Sequence, residues 1–241
     1  MKFRGLILAG GRGSRFVSEV AAPKVLRPLA GKALIDYVIA ALRGGGVEDI
    51  TVITGYMAEE VRRHCGGAVK YAFQPEQKGS GDAVRCAAPL FADFDGGVVI
   101  MCGDSPFFTA DTVRRMRETH EETGAAVTLG TAVLADPTGY GRIKRTGGKV
   151  AGIVEEKCAS AEEKAIKEIG GGIYVYDSRW LFERIGNLTK NAAGEYNLTE
   201  TVSFAVSAGD VVSAAEIDAA EIVGVNTPEE LAAAEKSMKN R

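Results

Sequence analysis

Apolar and polar positions alternate along this chain in blocks that change period. Residues 4–9 (RGLILA) form an apolar run that stops at Gly10 and Gly11, the signature of a buried strand. Residues 32–43 (KALIDYVIAALR) place Leu34, Ile35, Val38, Ile39 and Leu42 at helical spacing, and the glycines at 44–46 close that helix. DITVIT at 49–54 predicts a strand, MAEEVRRHC a helix, AVKYAF a strand and SGDAVRCAAPLF a helix that Ser80 is placed to cap. GGVVIMCGD at 96–104 predicts a further strand, with TADTVRRMRETHEETG as the helix behind it. This alternation predicts an α/β fold of the Rossmann-like, doubly wound kind, a mostly parallel sheet with helices on both faces. Ligands in such sheets sit beyond the carboxyl ends of the strands. GRGSR and CGD both follow strands, so both are expected on one rim.

The texture changes after about residue 125. AAVTLGTAVL, GRIKRTGGKVAGIVEE and IGGGIYVYD read as strands with glycine-rich turns, and GRIKRTGGKVAGIV as a hairpin around Thr146-Gly147-Gly148. SRWLFERIG, NLTETVSFAVSAG and PEELAAAEKSMK read as helices and VVSAAEI as a late strand. The expectation is a single domain over residues 1–241. Its parts are a lobe at about 1–125, a smaller, partly antiparallel one at about 126–225, and a final helix at 226–241.

Composition narrows the function classes. The 241 residues are 46% hydrophobic and 25% charged, with a formal net charge of −3, so no general basic surface for nucleic acid is implied and any anion site must be local. No apolar run approaches the roughly 20 residues that span a bilayer, and the first residues read as a strand rather than a signal peptide. Cytoplasm is the expected compartment, and no membrane partner is expected. The four cysteines and two histidines make no CxxC pair and no zinc spacing.

Several short stretches can carry chemistry. The glycines at 10, 11 and 13 free backbone N–H groups to face an anion, and Arg12, Arg15 and Lys24 add charge nearby; the same loop also reads as a tight turn with surface cations. It fits neither GxxxxGK[ST] nor GxGxxG, since Phe16 stands where a third glycine belongs. Asp104, at the end of a buried strand and before Pro106, suits a divalent cation that shares phosphate oxygens, or a turn cap. Gln74 offers an amide donor and acceptor that suit a nucleobase edge, and Gly79 and Ser80 let a helix N-terminus approach a ligand; the stretch equally reads as a polar loop. Asn226 can supply a second oxygen to magnesium or cap the helix that follows.

In the order LAGGRGSRF, PKVL, QPEQKGSGDAV, GDSP, DPTGYGRI, VEEK, GIYVYD, GEYNLTE, GVNTPEEL, the chain resembles the sugar nucleotidyltransferase family. Within it the resemblance is to the uridylyltransferase (pyrophosphorylase) domain of the bifunctional bacterial enzymes that make UDP-N-acetylglucosamine. It implies a Mg²⁺-dependent enzyme that joins UTP to a sugar 1-phosphate, N-acetylglucosamine 1-phosphate first among them, and releases pyrophosphate. It implies that Leu8, Ala9, Gly10, Gly11 and Gly103 surround the nucleotide and that Arg15 and Lys24 hold the triphosphate. Gln74, Gly79 and Ser80 would read the base, Gly141 and Glu155 would meet the sugar, and Asp104 and Asn226 would bind Mg²⁺, with Arg15, Lys24 and Asp104 as the catalytic set.

The sequence also departs from the family. Gly170 stands where an Asn contacting the acetamido sugar is usual, Cys102 where an aromatic is common, and the loop between Arg15 and Lys24 is two residues longer than usual. No hexapeptide-repeat acetyltransferase segment follows within the 241 residues, so a monomer or homodimer is expected. The same chemistry with CTP, dTTP or GTP, another phosphorylated acceptor, or nucleotide binding without turnover are the alternatives.

Overall fold

The computed structural model describes residues 1–16 and 22–239. The chain runs through β1 (Phe3–Ala9), β2 (Pro28–Leu29), β3 (Lys32–Ala33), α1 (Leu34–Gly44), β4 (Ile50–Thr54), α2 (Ala58–Cys65), β5 (Lys70–Phe73), α3 (Ser80–Cys86), β6 (Gly97–Cys102) and α4 (Ala110–Thr123). It continues through β7 (Val127–Val133), β8 (Arg142–Thr146), β9 (Lys149–Val154), α5 (Ala161–Lys164), β10 (Glu168–Asp177), α6 (Ser178–Arg184), α7 (Glu200–Ala208), β11 (Val212–Glu216) and α8 (Pro228–Lys239).

The main sheet runs β11-β7-β10-β6-β1-β4-β5, with β8 joined to β10 and β9 to β8. The pairs β6–β1, β1–β4, β4–β5 and β11–β7 are parallel, whereas β10 is antiparallel to both β6 and β7. One sheet therefore continues through both expected lobes, with the β8–β9 hairpin branching from it at β10, and β2 and β3 pair as a separate two-stranded sheet. All five residues of β4 are buried, as expected for a parallel strand covered on both faces.

Alternation along the central strands divides the core. Ile7, Val99 and Met101 face one side, with Ile35 and Val38 of α1 and Val113 and Met116 of α4. Leu6, Val98 and Ile100 face the other, with Val84 of α3 and Trp180 and Leu181 of α6. Neighbouring strand residues point to opposite faces, so a single apolar run such as VVIM feeds both halves of the core.

Several boundaries differ from the sequence expectation. Ser80 is the first residue of α3 rather than its cap. The cap position belongs to Gly79 at φ +102, where a Cβ would lie 2.4 Å from the Tyr196 carbonyl oxygen. α3 stops at Cys86 and a 3-10 turn over Ala88–Phe91 follows, because Pro89 has no N–H to continue the ladder. Residues 197–199 lie before α7, and Asn226 stands in a loop between the 3-10 turn at Ala219–Glu221 and α8. The short helix α5 was not foreseen. Ser160 and Glu163 form a capping box around it. The longer loop between Arg15 and Lys24 includes residues 17–21, which lie outside the described residues.

Candidate active site

From β1 the chain passes to β4 and β5 on one side, then crosses back to β6 on the other. The loops after β1 and β6 thus leave the rim in opposite directions and open a crevice, the usual ligand site of such sheets. The register sets Leu8 beside Cys102 and Ala9 beside Thr54. The backbone stays tied just past the strand ends: Gly103 N–H donates to Leu8 O at 2.9 Å and Tyr56 N–H to Gly10 O at 3.0 Å.

A cavity of about 460 Å³ occupies this crevice, lined among others by Leu8 to Ser14, Lys24, Gln74, Gln77, Gly79, Ser80, Cys102 and Asp104. Gly11 has nothing within 4 Å of where a Cβ would stand, so the loop presents main chain to the cavity. Gln74 is 4% exposed, and its amide N–H groups donate to Gly79 O at 3.1 Å and to Asp82 Oδ2 at 2.8 Å. Its donors are thus spent on holding its own loop. The amide that remains half-exposed in the cavity is that of Gln77, which accepts from Arg12 Nε at 3.2 Å. Sequence reasoning passed over Gln77 although it stands in the same QPEQKGSG stretch. Ser80 Oγ accepts from Leu198 N–H at 2.9 Å, and Gly81 N–H donates to Tyr196 O at 2.9 Å, so the GEYNLTE segment braces the start of α3.

A second cavity of about 330 Å³ adjoins the first through Cys102 and Asp104. Its walls include Arg15, Thr138 to Tyr140, Gly170 to Gly172 and Asn226. A Cβ at Gly170 would stand 3.8 Å from Ile143 Cδ1 and Ile153 Cδ1, ordinary contact, so the missing side chain leaves usable space. Glu155 lines neither of these cavities. It accepts from Thr199 Oγ1 at 2.7 Å and borders a separate hollow with Asn197 and Ser203. Gly141 stands between these places: its carbonyl accepts from Gly170 N–H at 2.9 Å, and its Cβ would lie 3.6 Å from Glu155 Oε2. Gly103 also lines neither cavity; Val25 Cγ1 packs 2.9 Å from where its Cβ would be.

Charges converge where the cavities meet. Lys24 Nζ pairs with Asp104 Oδ2 and donates to Asn226 Oδ1 at 2.9 Å, and Arg15 Nη2 donates to the same Asn226 oxygen at 3.0 Å. Asn226 is held there because Val225 N–H donates to Asp104 O at 2.9 Å and Asn226 N–H to Glu230 Oε2 at 2.6 Å. The Asp104 and Asn226 oxygens therefore already face one cation, the Lys24 ammonium. This hard-oxygen pair fits Mg²⁺, which takes one or two protein oxygens and completes its shell with phosphates and water. Among the described residues no group of three or more His, Cys, Asp or Glu is arranged to hold a metal. Burial first, then the neighbouring Asp104 charge, pushes the Cys102 thiol up to about 12, which disfavours the thiolate.

The model of the family described as "Nucleotidyl transferase" matches residues 4–229. The chain belongs to the nucleotidyl transferase family. Relatives of this nucleotidyl transferase include the bifunctional protein GlmU of Pelotomaculum thermopropionicum, 41% identical over 244 residues, all of this chain and 53% of the relative. Those of Limosilactobacillus reuteri and Exiguobacterium sibiricum are 41% and 42% identical, again over all of this chain, and 53% and 54% of each relative. The chain thus spans about half the length of these curated relatives. A solved structure described as a glucose-1-phosphate thymidylyltransferase of Bacillus anthracis, in complex with a sucrose, superposes with a TM-score of 0.81 at 24% identity, over 99% of this chain and 96% of that one. At that identity the likeness establishes the fold. No helix among the described residues is long and apolar enough to cross a membrane.

Proposed function

We propose that this nucleotidyl transferase joins UTP to a sugar 1-phosphate, with release of pyrophosphate, and that N-acetylglucosamine 1-phosphate is its first acceptor to test. The observation that carries the reading is the convergence of Lys24, Arg15, Asp104 and Asn226 at the junction of two adjoining cavities. The larger cavity suits a nucleotide and the smaller a phosphorylated sugar, which divides the labour between residues 1–125 and 126–225. The identity to GlmU proteins supports the choice of substrates.

The acceptor phosphate is itself the nucleophile, so the reaction needs no strong general base. One of its oxygens attacks the α-phosphorus of the triphosphate and pyrophosphate leaves. Catalysis then rests on alignment and on charge neutralisation. The backbone of Leu8 to Gly11 borders the base and ribose, and the Gln77 amide offers a base edge a donor and an acceptor, with Gln74, Gly79 and Ser80 shaping the loop around it. Arg15 and Lys24 bind the phosphates. Asp104 and Asn226 would hold Mg²⁺, which supplies Lewis-acid neutralisation of the phosphate oxygens. Gly170 borders the sugar, beside Gly141, whose carbonyl accepts from the Gly170 N–H; Glu155 lines a separate hollow and is given no contact with the sugar. The four cysteines are free, which accords with a reducing compartment such as the cytoplasm.

Pyrophosphate release measured over four NTPs and a panel of sugar 1-phosphates tests the reading. Turnover with UTP above the other nucleotides supports it; turnover with no combination overturns it. Gly170 favours one variation, an acceptor other than an N-acetylated sugar, which the same panel detects.

A further inference from the structure

Arg142 heads the fully buried side chains of the described residues, at 1% exposure. It begins β8 and is the residue through which β8 registers with β10, opposite Ile169. Its guanidinium donates to the Tyr140 carbonyl and pairs with Glu156 Oε2 at 2.6 Å. Glu156 in turn accepts from Gly139 N–H at 3.3 Å, and the pairing with Arg142 holds its carboxyl below the usual range. One cation and one carboxylate thus fasten Gly139 and Tyr140, and these residues with Thr138 form part of the wall of the smaller cavity, which Asp104 and Asn226 also line.

Stability does not explain this pair. A buried ion pair is commonly no better than apolar residues of the same volume. Arg142 Nε, moreover, has no hydrogen-bond partner among the described residues, and leaving a desolvated donor unpaired is unfavourable. What the pair does supply is a fixed position for a glycine-containing turn, Gly139 lying at φ +87.

We propose that Arg142 and Glu156 are a positioning pair for the sugar 1-phosphate: they fix the Thr138–Tyr140 wall of the acceptor cavity and touch neither substrate. The inference rests on the reading of the smaller cavity as the acceptor's. The larger cavity shares none of Thr138, Gly139, Tyr140, Arg142 or Glu156, so the effect is confined to one substrate.

The test uses the full chain and the best NTP–acceptor pair found in the panel. Arg142→Ala empties the site of the largest fully buried side chain and is expected to misfold, so the informative variant is Glu156→Gln, which keeps the shape and an amide oxygen that can still accept from Arg142 and loses the charge at a side chain 27% exposed. It should raise the acceptor KM about tenfold, the equivalent of one charge-assisted hydrogen bond. The NTP KM should stay within about twofold, the range of an innocent surface change. Glu156→Asp, which restores the carboxylate, should recover part of the loss. An unchanged acceptor KM in an active Glu156→Gln enzyme overturns this inference alone. So does a joint rise of both KM values with a fall in Tm, which would mark a purely structural role. Absence of turnover by the wild type with every combination overturns the functional reading and this inference with it.

Discussion

Lys24 is paired with Asp104, and the same ammonium donates to Asn226 Oδ1 at 2.9 Å. An internal cation thus occupies the point at which both oxygens aim. Any divalent cation binding there must share or displace it, and a triphosphate gives Lys24 somewhere else to go.

Lys24→Met should therefore act in opposite directions on two measurements. Losing one charge contact to the transition state costs about 3–4 kcal/mol, some 10²–10³ in rate, so kcat/KM should collapse. Titration of the nucleotide-free protein with Mn²⁺, followed by the spin resonance of the free ion, should show tighter binding than wild type, because Asp104 is left without its counter-ion. Weaker Mn²⁺ binding by the variant would contradict the assignment of Asp104 and Asn226 to the metal.

Asp104→Asn tests the same point from the anionic side. The substitution keeps the side-chain shape where Asp104 is 17% exposed, and the backbone carbonyl still accepts from Val225, so Tm should move little. Loss of the carboxylate should lower kcat/KM by about two orders of magnitude or more and abolish Mn²⁺ binding. Near wild-type turnover would remove Asp104 from the catalytic set.

Much of this was legible in the sequence, for physical reasons. Buried parallel strands are nearly continuous apolar runs, so β1, β4 and β6 stood out, and their glycine- and Asp-bearing ends marked the rim. The Arg15, Lys24, Asp104 and Asn226 convergence was legible only through the order of motifs, since Arg15 and Asn226 are 211 positions apart and no local rule joins them. Gln74 and Gln77 could not be told apart, because which amide spends its donors on Gly79 and Asp82 is decided by packing. Arg142 escaped because a lone Arg at the start of a hairpin strand ordinarily reads as a solvated charge. Its burial depends on Glu156, 14 residues away across the hairpin, reaching back to it.

Gly170→Asn probes acceptor choice. The position has room for a Cβ in ordinary contact with Ile143 and Ile153, and replacing glycine where the backbone permits it stabilises by about 0.4–1 kcal/mol through the unfolded chain. The variant should fold at least as well as wild type. Its kcat/KM for N-acetylglucosamine 1-phosphate relative to glucose 1-phosphate should rise about tenfold, one new hydrogen bond's worth. An unchanged ratio would show that the cavity at Gly170 does not meet the substituent that distinguishes these sugars.

His120 gives the fold a pH dependence separate from the site. It is 1% exposed, its Nδ1 is 3.0 Å from Thr128 Oγ1, and burial lowers its pKa to about 4 despite the opposing pull of Asp177 and Glu121. The unfolded chain takes up a proton near pH 6.5, whereas the folded chain resists until about pH 4. The stability this neutral imidazole contributes is therefore whole above pH 6.5 and lost progressively as pH falls towards 4, up to about 3 kcal/mol. His120→Gln keeps a partner for Thr128 and removes the titration. Urea unfolding of both proteins between pH 7 and pH 4 should give a steeper loss of stability for wild type, with the difference concentrated below pH 6.5. Parallel curves would mean that His120 is protonated in the folded protein and that burial does not hold it neutral.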